Sequence, residues 1–145
     1  MQFQKNDGGR AAAGYIPIAG DSIARAIAIA SQRPYAEIYD RLTEGNKRSN
    51  ANDSIIDTKR TWFKNYMREL GFEWVPCHAF HQGCRVHLRD GELPPGRLVV
   101  QLLKQSTAVI DGVLHDRYDI SRAKKKFYRC VFGYWRLSTA QINSK

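Results

Sequence analysis

A chain of 145 residues, 43% of them hydrophobic, is sized for one domain with a true core, and no apolar run approaches the roughly 18 to 20 residues that span a bilayer. The opening residues, Met1 to Asp7, hold no apolar stretch of the signal-peptide kind, so the expected setting is cytoplasmic, with no membrane partner. Lys and Arg number 23 against 14 Asp and Glu, a formal charge of +9 that suits an acidic protein surface, nucleic acid or nucleoprotein as partner.

Most of this charge is spread along the chain, with local concentrations at Lys47-Arg48, Lys59-Arg60 and Arg122 to Arg129, which reads as a diffuse field. Cys77, Cys84 and Cys130 are an odd, sparse set unlike a secreted disulfide framework.

In chain order, residues 1–19 are Gly- and Ala-rich and read as an extended arm, with Pro17 breaking any helix. The first helix is expected from Asp21 to Ser31, nearly buried, since Ile23, Ala26, Ile27 and Ala30 form one apolar face and Ile29 widens it. A second should start near Pro34, present Tyr35, Ile38, Tyr39 and Leu42 on one side, and stop near Gly45. Asn46 to Asp53 is polar and reads as a loop. A third helix is expected over Thr58 to Leu70, with Asp57 as N-cap, Trp62, Phe63, Tyr66 and Met67 at helical spacing, and Gly71 as stop.

The period then changes. Strands are expected at Phe72–Val75, Arg85–Leu88, Arg97–Leu103, Thr107–Ile110, Val113–His115 and Phe127–Leu137, punctuated by Pro94-Pro95-Gly96 and Asp111-Gly112. Helices followed by an antiparallel sheet make an α+β domain over residues 20–137, with 138–145 as a tail.

Two clusters invite chemical readings. Cys77, His78, His81 and Cys84 are all zinc-ligand types, but four ligands crowded into one loop strain tetrahedral closure, so no metal or other cofactor is expected. Lys124, Lys125 and Lys126, followed by Phe127, Tyr128 and Arg129, interleave cations with aromatics as single-strand nucleic-acid binders do. A strand with one buried and one solvated face has the same alternation, and the strand is the reading preferred here.

A two-residue turn at Asp111-Gly112 pairs Ile110 with Val113, Val109 with Leu114, Ala108 with His115 and Thr107 with Asp116. Alternation then puts Gln105, Thr107 and Asp116 on one face and His115 on the other. At the other end of the chain, Ser22 occupies the first turn of an apolar helix, where unpaired backbone N–H groups favour an anion.

These pieces form an ordered series: Gly20-Asp21-Ser22, a helix around Trp62, Gly83-Cys84-Arg85-Val86-His87-Leu88, Gln105 through Asp116, and Arg129 to Trp135. The series resembles a small bacterial and phage-associated branch of the papain-like cysteine peptidases. The resemblance implies a papain-like fold and a cleft between the first helix and the Asp111 hairpin. It also implies that Ser22 stands where the family has its cysteine, Gln105 where it has its histidine, and Asp116 beside that position. A serine hydroxyl needs a positioned base and Gln105 cannot take its proton, so these three residues are expected to be a hydrogen-bonded remnant. The resulting expectation is a pseudoenzyme that binds a peptide, a ubiquitin-like end or another protein. The alternatives are an active hydrolase using Ser22 or a relocated base, and a basic nucleic-acid or nucleoprotein accessory protein.

Overall fold

In the computed structural model, which describes residues 1–15, 21–48, 56–77 and 83–138, three helices cover one face of a six-stranded sheet. The strands are β1 (Gln2–Lys5), β2 (Phe72–Pro76), β3 (Arg97–Gln101), β4 (Ser106–Ile110), β5 (Val113–Asp116) and β6 (Gly133–Leu137), and the helices are α1 (Ser22–Ser31), α2 (Tyr35–Arg48) and α3 (Thr61–Glu69). The sheet order is β1-β5-β4-β3-β6-β2. The chain is thus α+β, but the sheet is mixed rather than antiparallel. The start of the expected arm adds β1 as an edge strand parallel to β5, with Phe3 opposite Leu114, while all other pairings are antiparallel.

The α1 sequence alternates Ile and Ala so densely that every residue from Ile23 to Ala30 is buried, between the sheet, α2 and the N-terminal segment. Gly8 permits the closest approach: its φ of +72° is left-handed, and a Cβ there would lie 3.0 Å from the Arg25 carbonyl oxygen. Arg97 closes the other end of α1. Its Nε and Nη2 donate to the carbonyls of Ala30 and Ile29 at 2.7 and 2.8 Å, satisfying acceptors that a helix C-terminus leaves open.

Ile27, Ile38, Phe63 and Met67 meet Val99, Ala108 and Trp135 in the core on the helix side. On the opposite side, Leu98, Val100, Val109 and Leu114 are covered by loops carrying Leu88 and Val131.

The hairpin register is as expected for Ile110–Val113, Val109–Leu114 and Ala108–His115. Asp111 and Gly112 both take positive φ, +48° and +80°, the type I′ geometry that matches strand twist.

Several boundaries differ. α2 runs through Gly45, because this glycine is a contact residue rather than a stop: a Cβ there would lie 2.5 Å from the Trp62 ring. Its last turn takes in 46–48, while the remainder of the expected loop, 49–53, lies outside the described residues. α3 begins at Thr61, with Arg60 at the cap position, since the Asp57 carboxylate accepts the Lys59 N–H in a preceding turn.

No strand forms over 85–88; His87 makes one isolated bridge, to Cys130. The long strand expected from Phe127 is also absent. A 3₁₀ turn occupies Lys126–Arg129 and β6 starts only at Gly133. Two further bonds, Val131 N–H to Val86 O at 2.8 Å and Leu88 N–H to Arg129 O at 2.8 Å, hold these loops together. They bring Cys84 and Cys130 into a single disulfide, which leaves Cys77 free. No described helix is long and apolar enough to cross a membrane.

Candidate functional site

The first turn of α1 faces the start of β4. Ser22 Oγ accepts the Ser106 N–H at 3.1 Å, and the Ser106 hydroxyl donates to Gln101 Oε1 at 3.0 Å. Pairing of Gln101 with Ser106 across β3 and β4 makes this chain of contacts possible, because both side chains then lie on the helix face. Gln105 sits one residue before β4, where its carbonyl accepts the Leu102 N–H at 2.8 Å and closes the connection. The residue that meets Ser22 is therefore Ser106, the immediate neighbour of the expected position.

Asp116 lies beside Thr107, as the hairpin register implies: the Thr107 hydroxyl donates to its Oδ2 at 2.7 Å, and the Arg117 N–H donates to Oδ1 at 2.6 Å. The carboxylate is also 3.7 Å from Arg25 Nη1. Arg25 in turn reaches Asp21 at 3.4 Å, and Asp21 accepts from Arg10 Nη1 at 2.8 Å and from the Tyr35 hydroxyl at 2.9 Å. Two arginines and two aspartates thus alternate through the interior, all buried.

Burial and then the bond to Asp21 push the Tyr35 phenol well above its ordinary range. The network ties the N-terminal segment, α1, α2 and the end of β5 together. Neither described imidazole is bonded to Asp116, which instead balances Arg25. No motif marks Arg10 or Arg25, and Tyr35 reads only as part of an apolar helix face, although an arginine amid Ile and Ala on a buried helix signals an internal ion pair.

Both described imidazoles are engaged elsewhere. His87 donates its backbone N–H to Glu92 Oε1 at 3.0 Å, and its Nδ1 lies 3.4 Å from the same oxygen; burial and the nearby Arg89, Lys126 and Arg129 lower its pKa. His115 lies on the helix face opposite Ala108, with Nδ1 3.4 Å from Asn6 Nδ2, and burial followed by Arg97 lowers its pKa.

Beyond Gln101, a cleft of about 490 Å³ opens between α3 and the β6–β2 side of the sheet. Trp74, Phe132, Trp135 and Leu103 give it an apolar lining, and Lys59, Lys64 and Arg68 give it cations. The two indoles lie with centroids 5.2 Å apart. Gly133 leaves room for Trp74, whose ring occupies the space a Cβ would need. No sequence signal marked this cleft, since its residues come from distant segments.

Of the zinc-ligand types, Cys84 is bonded to Cys130, and Cys77 is half-buried with its thiol pKa pushed up by burial. His78 and His81 lie outside the described residues. No group of three or more His, Cys, Asp or Glu side chains able to hold a metal occurs among the described residues.

Lys124, Lys125 and Lys126 are exposed, and Arg129 is half-buried. Phe127 and Tyr128 also face outward, so the alternation there is not that of a half-buried strand.

No family model, curated protein or solved structure matches this chain.

Proposed function

We propose that this chain is a non-catalytic peptide-binding module on a papain-like framework, with Ser22, Gln105 and Asp116 as the vestige of a catalytic cleft. The observation that carries the reading is the state of the Ser22 oxygen, which accepts a backbone N–H while both described imidazoles are bonded to other partners. A serine hydroxyl becomes a nucleophile only when a base within hydrogen-bond reach takes its proton, and among the described residues Ser22 is bonded to the Ser106 backbone amide, whose own hydroxyl is bonded to Gln101. The position of Ser22, on the first turn of α1 beside the strand that leads into the Asp111 hairpin, supports the papain-like layout.

The neighbouring cleft supports binding. Its paired indoles suit an apolar side chain, and its three cations suit flanking carboxylates, so the occupant is a peptide with an apolar residue among Asp or Glu.

Selection from a random peptide library on the immobilised chain tests this. Peptides of that composition are expected, and Trp74→Ala should weaken them by about 30-fold, the loss typical of an anchoring aromatic. Retained affinity in Trp74→Ala would remove the cleft as the binding site. Fluorophosphonate labelling that disappears in Ser22→Ala would overturn the non-catalytic reading.

A further inference from the structure

We propose that the segment between β5 and β6 is a second binding surface, one that takes single-stranded nucleic acid by stacking bases on exposed rings and neutralising phosphates with lysines. Two observations coincide there. The first is three outward aromatics in one stretch: Tyr118 is 67% exposed, Phe127 50% and Tyr128 37%. Phe127 and Tyr128 stack on each other with centroids 4.4 Å apart and planes 29° apart, and the Arg117 guanidinium lies 5.1 Å over the Tyr118 ring. These rings do not hold up the core, since Ile120 on one side and Val131 on the other supply the packing.

The second observation is charge. Residues 117 to 129 contain Arg117, Arg122, Lys124, Lys125, Lys126 and Arg129 against the single carboxylate of Asp119, which Arg122 and the Ser121 N–H already engage at 3.3 and 3.2 Å. Among the described residues, Lys124, Lys125 and Lys126 form no ion pair. Arg89 and His87 border the same patch, but the Glu92 carboxylate engages both, so the charge of the patch comes from residues 117 to 129.

The surface is also held in shape. The 3₁₀ turns Ile120–Arg122 and Lys126–Arg129 touch, which brings the Tyr118 end and the Phe127 end of the segment together, and the Cys84–Cys130 disulfide anchors the downstream end. Preformed flat faces set among cations suit a strand whose bases are unstacked and whose phosphates follow at short intervals. A duplex keeps its base faces covered. An acidic protein offers carboxylates to the lysines but has little use for the rings, so the rings distinguish the partners. The patch shares no residue with the cleft under α3 and does not depend on the peptide-binding reading.

The test is fluorescence anisotropy of the full chain with fluorescein-labelled oligo-dT and oligo-U of about 12 nucleotides, within the span one domain covers, and with a duplex of equal length. Single strands should bind more tightly than the duplex. Lys124→Ala, Lys125→Ala and Lys126→Ala combined should lower the slope of log affinity against log salt by about 2, at roughly 0.7 per phosphate contact. Phe127→Ala with Tyr128→Ala should cut affinity by about 10-fold or more while leaving that slope unchanged, because base stacking is lost and charge is not. These rings are exposed, so the variants should keep the wild-type circular dichroism spectrum. Unchanged affinity in the ring variant would overturn the proposal and leave only diffuse electrostatics. Displacement of the oligonucleotide by polyglutamate at equal charge concentration would overturn it in favour of an acidic protein partner.

Discussion

Asp21→Asn removes one charge from the buried network and leaves its geometry nearly isosteric. Arg10 then loses its 2.8 Å partner and Arg25 its 3.4 Å partner, although Arg25 keeps Asp116 at 3.7 Å. At an effective dielectric constant near 20 the two lost attractions amount to about 6 and about 5 kcal/mol before desolvation is counted. Desolvation offsets most of this in the intact network. Breaking a buried pair from one side nevertheless costs about 3–5 kcal/mol, because a buried guanidinium is left uncompensated. A domain of this size has about 5–15 kcal/mol in total, so the variant should sit near the edge of folding. Urea unfolding followed by tryptophan fluorescence measures the loss, and Tyr35→Phe, which deletes one hydrogen bond to a charged acceptor, should cost about 1.5–3 kcal/mol. A loss below about 1 kcal/mol for Asp21→Asn would refute the reasoning, since it would mean that water reaches Arg10 and Arg25 freely.

Alkaline titration should destabilise the fold. Burial raises the phenol pKa of Tyr35, and raises that of Tyr66 to about 12, so the folded chain keeps protons that the unfolded chain releases near pH 10. Stability is then fully present below about pH 10 and falls as the pH climbs from there; the urea midpoint should drop less steeply in Tyr35→Phe, and an unaltered profile would refute the assignment. Reduction should also destabilise the chain, because the Cys84–Cys130 bond closes a 46-residue separation, worth about 4 kcal/mol in the chain-entropy description. Unfolded, unreduced protein should show one reactive thiol, Cys77, and finding three would exclude the disulfide. Finally, if position 105 faces position 22 as the proposed papain-like framework requires, Ser22→Cys combined with Gln105→His should be alkylated by iodoacetamide near neutral pH about 10-fold faster than Ser22→Cys alone. Equal rates would show that position 105 does not face position 22.

What the sequence revealed about the site was positional. The period of the Ile and Ala residues made α1 a buried helix, and Asp111-Gly112 set a hairpin whose register put Thr107 beside Asp116. Both follow from local rules, because helix faces and two-residue turns are decided within a dozen residues. The same rules fail at Gly45, whose missing side chain serves Trp62 some seventeen positions away, and at Phe127, where an alternating pattern reads as a strand but a 3₁₀ turn forms. Alternation reports a half-buried surface only when a core lies behind it, and behind Phe127 the core is filled by Val131 and Ile120 instead.

By itself the sequence determined the α+β class, the place of Ser22 on a helix N-terminus, the lack of a histidine at position 105, and the basic charge, since each depends on residue identity or on short-range periodicity. Only the tertiary structure decided that Ser106 is the residue bonded to Ser22, that Asp116 answers Arg25, and that β1 completes the sheet. It alone brought Trp74, Trp135 and three cations around one cleft and turned Phe127 and Tyr128 outward. Such contacts join residues tens of positions apart, and they form because buried charges and apolar faces must find partners wherever the folded chain supplies them.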